Sequence, residues 1–193
     1  MNMSPMTEQS EKERQIAAAA LRVFSRYGLK RATMNDIAEE AGVVRQTLYN
    51  VFANKDEVIH GTLLFYTAAL RESVRDAWAG QDDLATRLDL LFEHYVIASW
   101  DAVRATPDAG ALEEGTHAAA NSAMVHAEAA MVAMLVELFA PYEAQLKRNG
   151  HGLHAFAEYL SATLMALKHQ TGDRDALIRH LGTLKSMTLM AAT

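Results

Sequence analysis

The chain contains no cysteine among its 193 residues and only three prolines. The absence of cysteine excludes disulfide bonds and thiolate chemistry, and it favours a cytoplasmic setting. The first ten residues contain no apolar run, which argues against a signal peptide. No stretch has the uncharged length expected of a membrane-spanning helix, so the sequence predicts no membrane partner.

The sequence also lacks the signatures of common enzymes and metal sites. It has no glycine-rich phosphate loop and no nucleophile elbow. His151 and His154 are three residues apart, but His151 lies in a glycine-flanked turn, so the pair is interpreted as ordinary surface or capping histidines. Glu113, Glu114 and His117 are interpreted as solvated side chains, the alternative being the polar edge of a ligand pocket. We therefore expect no enzymatic activity, no cofactor and no metal.

The apolar pattern indicates an all-α fold. Half of the residues are hydrophobic, and they recur at three- and four-residue spacing with no strand-like alternation. About nine helices are predicted, and in the first one Tyr27 is placed on the buried stripe with Phe24. The main predicted helices cover 8–27, two short segments within 33–52, 55–79, 83–103, 118–147 with a kink at Pro141, 153–169 and 173–191.

Residues 33–52 form a helix-turn-helix pattern. Thr33 is the predicted N-cap of the first helix, and Gly42 marks the turn. In the second helix Val44, Leu48 and Phe52 recur every four residues, and all three are predicted to face inward. The opposite side then carries side chains that can donate to phosphates and base edges, namely Arg45, Gln46, Tyr49 and Asn50.

This segment resembles the DNA-binding region of the TetR family of bacterial transcriptional regulators. The resemblance covers roughly residues 11–67 and rests on Ile37-Ala38, Ala41-Gly42-Val43, Thr47-Leu48-Tyr49, Phe52 and Asn54-Lys55. It implies a DNA-binding domain over residues 8–54 and a helical effector-binding and dimerisation domain over residues 55–193. The chain departs from the family at Val44, where serine or threonine is usual, so the second helix has no side chain able to cap it.

The distribution of charge is compatible with DNA binding although the net charge is −6. Eight basic and eight acidic residues balance within residues 1–60, so the remainder carries the whole negative charge. From Arg14 to Asn35 there are five basic residues and no acid. This run is interpreted as a local positive field beside the motif, the alternative being an ordinary solvated face.

The resemblance and the motif together give candidate residues for three functions. The candidates for the major-groove face are Arg45, Gln46, Thr47 and Asn50, and those for phosphate contacts, carried over from the family, are Thr33, Tyr49 and Lys55. An effector pocket is expected among the methionine- and aromatic-rich middle helices, with Phe65, Tyr66, Tyr95, Trp100, Met124 and Met131 as candidates and core packing as the alternative. The last two helices are expected to form the dimer interface through Phe156, Leu160, Leu164, Leu177, Leu181 and Leu184.

The predicted function is that of a homodimeric repressor that binds a palindromic DNA operator. Release by a small molecule is what the resemblance implies, and the apolar character of the expected pocket favours a hydrophobic or aromatic effector. The alternative is a helical small-molecule-binding or scaffold protein whose helix-turn-helix no longer functions. Val44 and the nearly neutral N-terminal segment keep that alternative open.

Overall fold

A computed structural model of the chain describes residues 11–107 and 118–192, and the secondary structure in these ranges is entirely helical. The all-α prediction is therefore confirmed, while Glu113, Glu114 and His117 lie outside the described residues. The α-helices are α1 Glu11–Arg31, α2 Met34–Glu40, α3 Arg45–Val51, α4 Lys55–Trp78, α5 Leu84–Leu91, α6 Ala98–Ala105, α7 Ala118–Phe139, α8 Glu143–Arg148, α9 Leu153–Gln170 and α10 Arg174–Ala192. A π-helical turn, Phe92–Ile97, joins α5 to α6, and a 3-10 turn, Ala140–Tyr142, joins α7 to α8.

Capping side chains set the start of several helices. Asn54 Oδ1 accepts from the backbone N–H of Glu57 at 2.9 Å at the start of α4. The Glu57 carboxylate also accepts from the backbone N–H of Ala53 at 2.7 Å, which ties the residue before the cap to the first turn of α4. Asp83 caps α5 in the same way through the N–H of Thr86 at 2.8 Å. These local bonds explain why the helix boundaries follow the sequence pattern closely.

Contacts divide the chain into two compact units. The first unit contains the described residues of Met1–Thr67 and Ala105–Met124, and the second contains those of Ala68–Arg104 and Val125–Thr193. Helix α4 therefore contributes its first part to one unit and its second part to the other. The domain boundary predicted at residues 54–55 stays a prediction.

The core of the first unit is built by α1, α2, α3 and the start of α4. Ile16, Ile37 and Leu48 are fully buried, and Val58 and Ile59 of α4 join them. The prediction for Tyr27 is wrong, since its ring is exposed and lies 5.7 Å from the guanidinium of Arg26. Tyr27 is the last residue before Gly28, which leaves helical geometry at φ 78° and ends the regular helical stretch.

The core of the second unit depends on the π-helical turn. Tyr95 and Trp100 are both buried although they are five residues apart, a spacing that a regular α-helix would place on different sides. In the π-helical turn the hydrogen bonds span five residues instead of four, so the turn contains one more residue than an α-helical turn. Both rings therefore remain buried. The rest of this core consists mainly of Leu84, Leu88, Leu91, Met131, Met134, Leu135, Leu138, Phe139, Leu146, Leu160, Leu164, Leu177 and Leu181.

One helical run meets the length and composition of a membrane span, contrary to the expectation from the sequence. Asn121–Arg148 has a mean hydropathy of 1.6 in its most apolar window. Several buried residues of this run, Met134 and Leu135 among them, belong to the core of the second unit. Buried core helices commonly have this composition, so the run by itself does not indicate a membrane.

Candidate nucleic-acid interface

Helix α2 begins with a complete capping box. Thr33 Oγ1 accepts from the backbone N–H of Asp36 at 3.2 Å, and the Asp36 carboxylate accepts from the backbone N–H of Thr33 at 2.9 Å. The Thr33 hydroxyl also donates to that carboxylate at 2.7 Å. These hydrogen bonds from the Thr33 side chain and backbone hold the pKa of Asp36 below its ordinary value.

The turn between α2 and α3 requires a glycine for its backbone geometry. Gly42 has a φ of 65°, and a Cβ added there would meet nothing within 4 Å. The N–H of Val43 bonds to the carbonyl of Ala38 and that of Gly42 to the carbonyl of Glu39, both at 3.0 Å, which is the Schellman pattern. Gln15 of α1 donates to the carbonyl of Ala41 at 2.8 Å, so α1 fixes the turn from behind.

Helix α3 is anchored by its apolar side. Leu48 is 0 % exposed and Phe52 is buried beside it, as predicted from their spacing. The prediction for Val44 is wrong, because its side chain is 69 % exposed. Val44 is the N-cap residue in extended conformation, so its side chain lies outside the helical register that places Leu48 in the core. No side chain caps α3, in agreement with the prediction.

The outer side of α3 presents an ordered polar surface. Arg45, Gln46 and Asn50 are exposed. Gln46 Nε2 donates to Asn50 Oδ1 at 2.9 Å, and the Arg45 guanidinium lies 5.9 Å from the centre of the Tyr49 ring. Tyr49 is 41 % exposed, whereas Thr47 is half-buried. The structure thus brings together the predicted groove-facing residues on one short helix, with Thr47 at its edge.

Two of the predicted phosphate-contacting residues have other partners in this structure. The hydroxyl and the backbone N–H of Thr33 both donate to Asp36. Lys55 is half-buried, and its Nζ donates to the carbonyl of Lys30 at 3.4 Å. Burial lowers the pKa of Lys55, and the nearby Asp56 acts in the opposite direction. A phosphate bound by either residue would compete with these contacts.

The basic run between Arg14 and Asn35 is partly neutralised. Arg22 Nε lies 2.7 Å from one Glu40 oxygen, and Arg26 Nη1 lies 3.5 Å from the other. Arg22 holds the pKa of Glu40 below its ordinary value, chiefly through this hydrogen bond, and Arg26 adds to the effect. The positive field expected from five basic residues is therefore weaker than the sequence suggests. Lys30 and Arg31 remain exposed at the end of α1.

The predicted effector-site residues are distributed over both compact units. Phe65, Tyr66 and Met124 belong to the first unit and are half-buried. Tyr95, Trp100 and Met131 belong to the second unit and are buried in its core. The indole N–H of Trp100 donates to the carbonyl of Thr171 at 3.0 Å, so its polar atom is satisfied internally.

Arg71 is a polar residue of the second unit that the sequence analysis missed. Its guanidinium interacts with the Tyr95 hydroxyl, and its Nη1 is buried without a hydrogen-bond partner. Burial lowers the pKa of Arg71, while Tyr95 acts in the opposite direction. Burial also raises the pKa of the Tyr95 phenol. A lone arginine on a helix carries no sequence signal that would have identified this pair.

An apolar groove of about 720 Å³ runs between α9 and α10. Three of the predicted interface residues, Phe156, Leu160 and Leu184, line it. Leu164, Leu177 and Leu181 instead lie in the core of their own unit. Tyr159 and Met187, which the sequence analysis did not single out, also line the groove and are 66 % and 58 % exposed. Each of the two helices already has a buried apolar side. A further apolar residue outside that side, at Tyr159 and at Met187, was the sequence signal that could have identified them.

Comparison with known proteins identifies the N-terminal segment. Residues 16–61 match the family model described as bacterial regulatory proteins, tetR family. The chain is 30 % identical over 84 residues to YvdT of Bacillus subtilis, an uncharacterized HTH-type transcriptional regulator, covering 44 % of this chain and 43 % of that protein. It is 45 % identical over 56 residues to the HTH-type transcriptional regulator TtgR of Pseudomonas putida, covering 29 % and 27 %. The matches thus span less than half the length of these curated relatives.

Solved structures share the fold of nearly the whole chain. The fatty acid degradation regulator FadR from Bacillus halodurans has a TM-score of 0.67 at 18 % identity, covering 93 % of this chain and 96 % of that one. A TetR-family regulator from Rhodococcus sp. has a TM-score of 0.67 at 19 % identity, covering 95 % and 100 %. At these identities the likeness shows the fold alone. The helix-turn-helix segment, residues 16–61, therefore matches the TetR family of bacterial regulatory proteins, and solved structures share the fold of nearly the whole chain.

Proposed function

We propose that the protein is a sequence-specific DNA-binding transcriptional regulator, a cytoplasmic repressor that binds its operator as a homodimer. The observation that carries this proposal is the division of α3 into two sides. Leu48 anchors one side in the core, while Arg45, Gln46 and Asn50 are exposed on the other. Donors and acceptors held on a short exposed helix are suited to reading base edges in the major groove.

A gel-shift titration tests this proposal against the alternative of a non-functional motif. The probe is the DNA upstream of the protein's own coding region, with a scrambled duplex of equal length as competitor. The control is Glu158→Gln, which changes an exposed residue of α9. The wild-type protein and this control are expected to shift the probe in preference to the scrambled duplex. Arg45→Ala is expected to lose that preference. A wild-type protein that binds both duplexes equally, or neither, would support the scaffold alternative.

A dimer is the proposed assembly because one helix-turn-helix reads only a few base pairs, and two-fold symmetry matches a palindromic site. The groove between α9 and α10 supports this proposal. Tyr159 and Met187 expose apolar surface there, next to the half-buried Phe156. A second copy of the same helix pair would bury this surface as a four-helix bundle.

A pair of neighbouring substitutions tests the dimer. Met187→Glu places a charge in the groove, whereas Ser186→Glu places it on the adjacent exposed residue, which does not line the groove. Sedimentation velocity is expected to give a dimer for wild type and Ser186→Glu and a folded monomer for Met187→Glu. Dimers for all three proteins would place the interface elsewhere.

The proposed effector is an apolar or aromatic small molecule bound in the helical region beyond the DNA-binding motif. The burial of Tyr95, Trp100 and Met131 in the second unit supports an apolar environment. The Arg71 guanidinium, which interacts with Tyr95, supplies a polar group in the same unit. Helix α4 starts beside the motif at Lys55 and extends to Trp78, so a change in its tilt would move the recognition helices of a dimer.

Thermodynamic linkage tests the effector proposal. A compound recovered from the purified protein is identified by mass spectrometry and titrated with and without operator DNA. Operator is expected to weaken its binding by roughly 1–3 kcal/mol, with the same coupling measured in the reverse direction. An affinity that operator leaves unchanged would show that this compound does not control DNA binding.

A further inference from the structure

Val44 is an exposed apolar residue at the edge of the polar surface of α3. Its side chain is 69 % exposed, and it directly precedes the exposed Arg45 and Gln46. Its backbone carbonyl accepts from the N–H groups of Thr47 and Leu48 at 2.9 and 3.2 Å, so the main chain of Val44 starts the helix. The side chain takes no part in that bonding.

The fold gives the Val44 side chain no structural role. A residue before an N-cap often packs on the fourth helical residue as a hydrophobic staple, and here Val43 occupies that position against the core that contains Leu48. Serine, threonine, aspartate or asparagine at position 44 would cap α3, as Thr33 caps α2. Valine leaves the cap unmade and exposes two methyl groups to solvent.

The major groove offers a partner for such a side chain. The C5-methyl of thymine is the apolar group that base pairs present in that groove, and side-chain methyl groups contact it. In a helix-turn-helix, the first residues of the recognition helix are those that reach the base edges. Val44 stands at that end of α3, beside the amide and guanidinium groups that would bond to neighbouring bases.

We infer that Val44 is a specificity-determining residue whose methyl groups contact the C5-methyl of one thymine in each operator half-site. The inference rests on the proposed DNA-binding function and concerns the side chain of Val44, not the backbone amides of the helix end. In addition to the readout by Arg45, Gln46 and Asn50, the contact gives the protein one base position at which it selects thymine through an apolar contact alone.

The first step of the test obtains the binding site. The full-length protein selects duplexes from a library of about 30 randomised base pairs, and the enriched site is synthesised. Each thymine in turn is then replaced by deoxyuridine, which keeps the base pair and removes only the methyl group. Fluorescence anisotropy gives the Kd of wild type, Val44→Ala and Val44→Ser for every duplex, and thermal melting checks that the variants are folded.

Wild type is expected to show one thymine per half-site at which deoxyuridine raises Kd by about fourfold, and by about 15-fold when both half-sites are changed. Val44→Ala and Val44→Ser should bind the thymine and deoxyuridine duplexes equally at that position. At any other methyl-sensitive position they should keep the wild-type difference. Val44→Ser should melt no lower than wild type, because serine can cap α3.

Two results would overturn the inference and are distinguishable. An enriched site at which wild type shows no methyl effect, or at which the variants keep it, overturns the role of Val44 and leaves the proposed function intact. A library that yields no enriched site overturns the proposed function and this inference together.

Discussion

The side-chain amides of Gln46 and Asn50 are joined by a hydrogen bond, with Gln46 Nε2 donating to Asn50 Oδ1 over 2.9 Å. Each amide therefore fixes the orientation of the other before any DNA is bound. Gln46 Oε1 is left as an acceptor and Asn50 Nδ2 as a donor for a base edge. Such preorganisation reduces the side-chain entropy lost on binding.

The first prediction is that Gln46 and Asn50 act as a coupled unit in base readout. Gln46→Ala should weaken preference at one base position by on the order of 1–3 kcal/mol. A double-mutant cycle with Asn50→Ala on a selected duplex should give a coupling of roughly 0.5–3 kcal/mol, because either substitution frees the remaining amide. Strictly additive losses would contradict the coupling, and an equal loss on all sequences would exclude Gln46 from readout.

The second prediction concerns Lys55 as a phosphate-binding residue. Lys55→Ala should weaken binding to operator and to random DNA alike, because phosphates carry no sequence information. The slope of log K against log salt should become less steep by about 1 for each phosphate that Lys55 neutralises in the wild-type complex. Lys147→Ala, at an exposed lysine of α8, is the control and should leave the slope unchanged. An unaltered slope for Lys55→Ala would mean that Lys55 serves only its bond to Lys30.

The third prediction concerns the turn glycine. Gly42→Ala should lower the free energy of unfolding by about 1–2 kcal/mol, because an L-residue is strained in the left-handed region. The space around the position is open, so no clash adds to this cost. Gly42→Asn should lose less, since asparagine tolerates that conformation. Chemical denaturation measures both, and equal stability for the two variants would show that backbone strain does not govern this turn.

The fourth prediction concerns Lys168, whose pKa is lowered by burial. A lysine with a lowered folded pKa destabilises the folded state at low pH, and this penalty disappears as pH rises from the folded pKa to the unfolded value near 10.5. Lys168→Met should therefore melt at a higher temperature than wild type at neutral pH, and the difference should shrink in alkaline buffer. Lys147→Met is the exposed control, with no such gain expected. A Lys168→Met gain that does not change with pH would indicate packing rather than desolvation.

The elements that could be predicted from the sequence are those determined by local signals. The Thr33, Asn54 and Asp83 caps and the Gly42 turn are each fixed by residues within a few positions. Helix bounds therefore follow the sequence closely. Val44 was misplaced because an apolar period was continued to the N-cap residue, which is extended and lies outside the helical register. Tyr27 was misplaced because its spacing was taken to mean burial, whereas its ring is exposed at the end of the regular stretch of α1, just before Gly28.

The remaining features depend on residues distant in the chain. The pairing of Glu40 with Arg22 and Arg26 follows from the packing of α1 on α2, which spacing alone does not give. The π-helical turn is defined by backbone bonding in which the N–H of Ala98 reaches the carbonyl of Glu93, and the sequence spacing of Tyr95 and Trp100 does not show it. For α9 and α10 the sequence pattern shows that both helices are rich in apolar residues. It does not show which of these side chains are buried in the core of the unit and which line the groove.

The central claim, that α3 reads a DNA sequence, is tested most directly by the ratio of two affinities. Fluorescence anisotropy at about 150 mM salt would compare the Kd for the selected duplex with that for a scrambled duplex of the same composition, about 30 base pairs each. We predict a ratio of at least about 10³ for wild type, with Arg45→Ala reducing it by at least about tenfold while binding to the scrambled duplex changes far less. Equal affinities of the wild-type protein for the two duplexes would contradict the account.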